Sequence, residues 1–146
     1  MKMLRWVYCI VTLVAMLFLH AVDGYCTERS PEQVVHDFYA WYFVADRGED
    51  MAEKNDAIYK YVAKPLITDV RADTSGIYYF TKVGSYGAWW VDVVVDVKDA
   101  VSIGGGVSMI PVEFVLGQER RSVIVLVKSY DGELKIFKVM DVYPFM

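Results

Sequence analysis

The chain has 146 residues, 55% of them hydrophobic, and sets 15 Lys and Arg against 19 Asp and Glu for a formal net charge of −4. An acidic chain with no basic stripe argues against a nucleic-acid surface. No repeat, linker or low-complexity tract divides it, so one domain is expected.

Residues 1–24 read as an export signal. Lys2 and Arg5 precede an uncharged apolar run, Trp6–Leu19, and Val22 and Gly24 occupy the −3 and −1 places for cleavage before Tyr25. The run is shorter than the roughly 20 residues a bilayer-spanning helix needs, so cleavage is expected rather than a retained anchor. Cys26 is a poor lipid-attachment site because bulky Tyr25 precedes it. Removing 24 of 146 residues leaves 122, a single domain over 25–146 that is long enough for a real core. Lys2, Arg5 and Asp23 leave with the signal, so 13 basic and 18 acidic residues remain, a net −5. Cys9 leaves too, and Cys26 then has no internal disulfide partner. The expected location is the periplasm, with no stable membrane anchor after cleavage.

The strongest helix signal is "SPEQVVHDFYAWYFVADRG". Ser30 is placed as N-cap, Pro31 as first helical residue and Gln33 as the far side of a capping box. Val34, Phe38, Trp41, Tyr42 and Ala45 follow as one apolar stripe. A second helix is expected over Met51–Val62, with Ile58, Tyr61 and Val62 inward, and a short third one from Pro65. "DTSG" (73–76) reads as a loop. The period then changes. In "WWVDVVVDV" (89–97), Trp89, Val91, Val93, Val95 and Val97 face one way and Trp90, Asp92, Val94 and Asp96 the other, as in a half-buried strand. "IGGGV" (103–107) is a turn. "MIPVEFVL" (109–116) is a strand whose Pro111 suggests an edge or a bulge. "RSVIVLVKSY" (121–130), the hairpin dipeptide Asp131-Gly132 and "ELKIFKVMDV" (133–142) complete an antiparallel meander. The expected class is α+β, N-terminal helices on a curved antiparallel sheet of about four strands.

Catalytic patterns are sparse. His36 is the one histidine of the mature chain, and neighbouring Asp37 diverges from it by about 100° on a helix, a poor geometry for orienting a base. Asp92 and Asp96 share a strand face but stand about 13 Å apart, too far for oxygen ligands that sit about 2.3–2.6 Å from one cation. "IGGGV" lacks the Lys-Ser/Thr and the helix of a phosphate loop. Arg120, Arg121, Lys128, Lys135 and Lys138 read as cross-strand partners of acidic residues. No metal and no cofactor is expected. The concentrated signal is "YYFTKVGSYGAWW" (78–90). Trp89 is assigned to the core, while Tyr86 and Trp90 are read as exposed anchors beside Gly84 and Gly87. With Tyr78, Tyr79, Asp92 and Asp96 they form the expected partner-binding set.

In order, the export signal, "SPEQVVHDFYAWYF", "KYVAKPLI", "YYFTKVGSYGAWW", the valine-rich strands and "DGELKIFKVMDV" resemble a family of small exported bacterial proteins known as a domain of unknown function. The likeness spans nearly all of the mature chain, although Leu134 stands where the family's closing motif has an aromatic residue. It implies a cystatin-like or nuclear-transport-factor-two-like fold and supplies no catalytic residues. By analogy with exported proteins that accompany type VI secretion toxins, it implies a periplasmic immunity protein. The leading expectation is thus a non-enzymatic module that binds a secreted toxin. The alternative is a small-ligand binder or enzyme using a pocket between helix and sheet, with Tyr39, Tyr42 or Asp92 converging in it. Oligomeric state is left open.

Overall fold

A computed structural model describes residues 29–45, 52–84 and 92–142. Helix α1 (Pro31–Ala45) begins as its sequence dictates, with Ser30 Oγ accepting from the Gln33 amide at 3.2 Å. Gln33 does not complete a capping box; its side chain donates instead to Asp37 Oδ1, one turn on, at 2.8 Å. The buried stripe is wider than expected. Val34, Val35, Phe38, Tyr39, Tyr42 and Phe43 are all buried, while Trp41 and Ala45 pack at its margin. A helix covered on two sides needs two adjacent apolar rows, and α1 lies between the sheet and the segments that follow it.

The expected second helix is replaced by two 3₁₀ turns, Ala52–Lys54 and Asp56–Lys60. Asn55 causes the break: its backbone is extended and its side chain accepts from the Ala57 amide, starting a new turn. Ile58, Tyr61 and Val62 are nevertheless buried as their spacing predicts. Helix α2 (Lys64–Ala72) follows and buries Leu66, Ile67 and Val70. From it, Arg71 reaches back to the carbonyls of Glu53 and Lys54, the Tyr59 hydroxyl and Asp56, stapling both 3₁₀ turns.

Strands β1 (Val94–Val97), β2 (Val101–Gly104), β3 (Val107–Leu116), β4 (Glu119–Tyr130) and β5 (Glu133–Asp141) form one antiparallel sheet, ordered β1-β3-β4-β5 with β2 also on β3. Two-residue turns join the long strands. Asp131 and Gly132 have φ of 51° and 84°, the pair of positive values a type I′ hairpin requires. Helix α1 crosses the inner face and contacts β1, β3, β4 and β5. Opposite it, Ile110, Val112, Phe114, Val123, Val125, Val127, Ile136 and Val139 point into the core. The alternation in "VDVVVDV" holds where described: Val93, Val95 and Val97 pack on the core and Val94 is exposed.

Pro111 is not on an edge strand. β3 lies between β4 on one side and β1 and β2 on the other, and Pro111 falls where β1 has ended at Val97 and β2 has not begun at Val101. Within a strand the N–H and C=O of one residue point the same way, and the Pro111 carbonyl accepts from Lys98 in that gap at 3.0 Å. The missing N–H therefore faces the break, and no bond to β4 is lost.

Candidate functional site

The segment Tyr78–Gly84 closes one end of the core as a tight turn. The Tyr78 amide donates to the Val83 carbonyl at 2.9 Å and the Lys82 amide to the Tyr78 carbonyl at 2.8 Å. Phe80 is fully buried against Phe38, Tyr42 and Tyr79, so it anchors the turn in the core. The Tyr39 hydroxyl crosses from α1 to donate to the Phe80 carbonyl at 2.7 Å. Lys82 adopts a φ of 56°, the left-handed region that disfavours a residue with a Cβ. Its carbonyl is held there by Arg121 Nη2 at 2.6 Å.

Beside this turn lies an open groove of about 430 Å³. The loop after α2 contributes Asp73, Ser75 and Ile77, the turn contributes Tyr79 and Lys82, and the strands contribute Arg121, Val139, Met140 and Asp141. Arg121 and Asp141 sit at the end of the sheet and pair through Nη2 and Oδ2 at 2.8 Å. The other leg of that fork stays open, for Arg121 Nε and Asp141 Oδ1 are buried without a hydrogen-bond partner. Asp73 accepts from the Ser75 amide and hydroxyl, which lower its carboxyl below the usual range. The Lys82 ammonium lies 3.6 Å from the Tyr79 ring centroid. Burial pulls its amine below the ordinary lysine range, against the opposing pull of Asp141, Asp73 and Glu53.

The sequence-predicted residues separate. Tyr86 and Trp90, with Trp89, lie outside the described residues. Tyr78 and Tyr79 are half-buried, and Tyr79 is a wall of the groove, with Lys82 over its ring and its hydroxyl accepting from the Val139 amide at 3.4 Å. Asp96 stands between core-facing Val95 and Val97 on β1 and so turns to the other face, while Asp92 lies before β1 and is exposed. Asp96 faces Glu113 in register and pairs with Lys98. Val94 on β1 and Val101 and Ile103 on β2 are 62%, 50% and 52% exposed. Of the basic residues read as cross-strand partners, Arg120 meets Glu113 and Arg121 meets Asp141 across strands, while Lys135 pairs with Glu133 of its own strand β5. Lys128 instead rides over the Tyr130 and Phe137 rings. Lys82, Arg121 and Asp141 as a group escape sequence reading, since 39 and 20 residues separate the hydrogen-bonded pairs. The one available signal was a lysine inside an aromatic run.

The expected pocket between helix and sheet is absent among the described residues. Tyr39 and Tyr42 are fully buried, their rings packed with Phe38, Phe43, Phe80 and Phe114, and Asp92 is exposed rather than converging with them. His36 is exposed on α1, with Nδ1 at 3.6 Å from Asp37 Oδ1, closer than their angular divergence suggested. Asp37 is also engaged by Gln33 and Arg29. Among the described residues, no three His, Cys, Asp or Glu side chains gather as metal ligands, and no helix is long and apolar enough to cross a membrane.

Two solved structures resemble this chain. One is a chain of the native type VI effector–immunity complex Tae3-Tai3 from Ralstonia pickettii, 28% identical, with a TM-score of 0.69 over 81% of this chain and 99% of that one. The other comes from the selenomethionine form of the same complex, also 28% identical, with a TM-score of 0.66 over 80% and 100%. No protein-family model and no curated protein sequence matches the chain.

Proposed function

We propose that this protein is a non-enzymatic immunity protein that binds and inhibits an effector of type VI secretion. The observation that carries the reading is the likeness to one partner of an effector–immunity complex over nearly the whole of that partner. The residue inventory favours the immunity role over the effector role. Beyond the leader, the chain holds one cysteine, Cys26, and one histidine, His36, and the latter is a surface residue of α1. A hydrolytic centre needs a nucleophile and an oriented base within hydrogen-bond reach. Among the described residues, the core beneath α1 is filled with aromatic rings and shows no cavity for a substrate. The leader supports export to the periplasm, where an effector of this kind is met. We assign Tyr78, Tyr79, Tyr86, Trp90, Asp92 and Asp96 to the effector interface.

An effector gene is expected beside this protein's own, and mixing the purified protein with the product of that gene tests the proposal. Co-elution as a stoichiometric complex and loss of the effector's activity are expected. An effector that stays free and active in the presence of folded protein rejects the reading.

A further inference from the structure

Lys82 occupies a position that the packing of the core does not account for. Its ammonium is half-buried at the wall of the groove and rests on the Tyr79 ring at 3.6 Å. Among the described residues it makes no ion pair within 4.0 Å. The carboxylates that act on it from further away are already engaged: Asp141 by Arg121, Asp73 by Ser75 and Glu53 by the Tyr42 hydroxyl. Burial depresses its amine in spite of all three, so the charge is under-compensated where it stands. The placement is also fixed. A left-handed backbone at φ 56° is unfavourable for a residue with a Cβ and is held by the hydrogen bond from Arg121 to the Lys82 carbonyl.

We infer that the Lys82 groove is a subsite for a carboxylate side chain, Asp or Glu, of the protein partner. Lysine offers three donors, of which the ring takes none in a directed hydrogen bond. A carboxylate beside the ammonium makes a charge-assisted bond in a partly dry setting and faces Arg121 as well. Ile77, Val139 and Met140 supply apolar wall for the methylene stem of such a side chain. Of the four charged groups that line the groove, Arg121 and Asp141 pair with each other and Asp73 is held by Ser75, which leaves Lys82 as the one without an ion pair among the described residues; a carboxylate matches it, and an apolar group would strip it of water without replacing it. The partner's carboxylate completes a site that the chain leaves half built.

The inference rests on the protein-binding reading above, and two measurements keep the two apart. First, protein labelled with carbon-13 at lysine Cε is titrated with N-acetylglutamate amide and, separately, with neutral N-acetylglutamine amide. A saturable shift of the Lys82 resonance with the glutamate compound alone, lost in Lys82→Met, is expected. An unmoved resonance, or equal response to both compounds, overturns the inference whatever the partner proves to be. Second, Lys82→Met is compared with wild type for binding to the neighbouring effector, with circular dichroism and melting confirming its fold. Weakening by about tenfold or more is expected; tight binding by wild type and variant alike overturns the subsite but leaves the immunity reading intact. No binding by wild type rejects the immunity reading, and the titration still decides whether the groove takes carboxylates.

Discussion

Tyr39 joins two parts of the molecule from one position. Its ring fills the core against Phe38, Phe43 and Phe114, and its hydroxyl holds the Phe80 carbonyl at 2.7 Å. Tyr39→Phe keeps the ring and removes that donor in a buried setting, so a loss of about 1–3 kcal/mol is expected in denaturant unfolding. An unchanged midpoint would mean that the turn does not depend on the bond. Lys82→Met tests the same turn through its charge. The folded-state amine is depressed, so at neutral pH, with both states protonated, the native state carries the desolvation cost. As pH rises through the folded value, the native amine loses its proton first and wild type gains stability relative to the variant. Melting curves should therefore show Lys82→Met at least as stable as wild type near pH 7, with any advantage shrinking toward alkaline pH. At this scale alternation and spacing revealed which valines face inward. They could not reveal Lys82, whose character comes from Arg121 and Asp141 arriving from another part of the chain.

The elements were legible where a local device defines them. Ser30 and Pro31 begin α1, and Asp131-Gly132 makes the β4–β5 hairpin, because each acts through its own backbone geometry. The 3₁₀ turns and the setting of Pro111 were not legible. Asn55 interrupts a pattern that looks helical in one dimension, and Lys135 then ties the segment to β5 by donating to the carbonyls of Tyr59 and Lys60 at 3.0 Å each. Pro111 reads as an edge residue until the break between β1 and β2 is known. A pair of substitutions separates these cases. Gly132→Ala, at φ 84°, should cost about 1–2 kcal/mol, whereas Pro111→Val should stay within about 0.5 kcal/mol because the amide it restores faces the gap. A large change in either direction at Pro111 would contradict the register described here.

For the whole molecule, the sequence indicated an α+β domain with helices before strands, and the structure is one, with five strands where about four were expected. Among the described residues no ligand pocket opens under α1, because both rows of that helix are aromatic or branched and fill the space. Among the described residues, a packed core presents a mixed-charge groove at one end of the sheet. The most direct test of the immunity reading is protection of a laboratory bacterial host that directs the neighbouring effector to its periplasm. Co-expression of the full chain should restore growth, while a form lacking residues 1–24, made to the same level, should not. Continued killing in the presence of exported, folded protein would contradict the account.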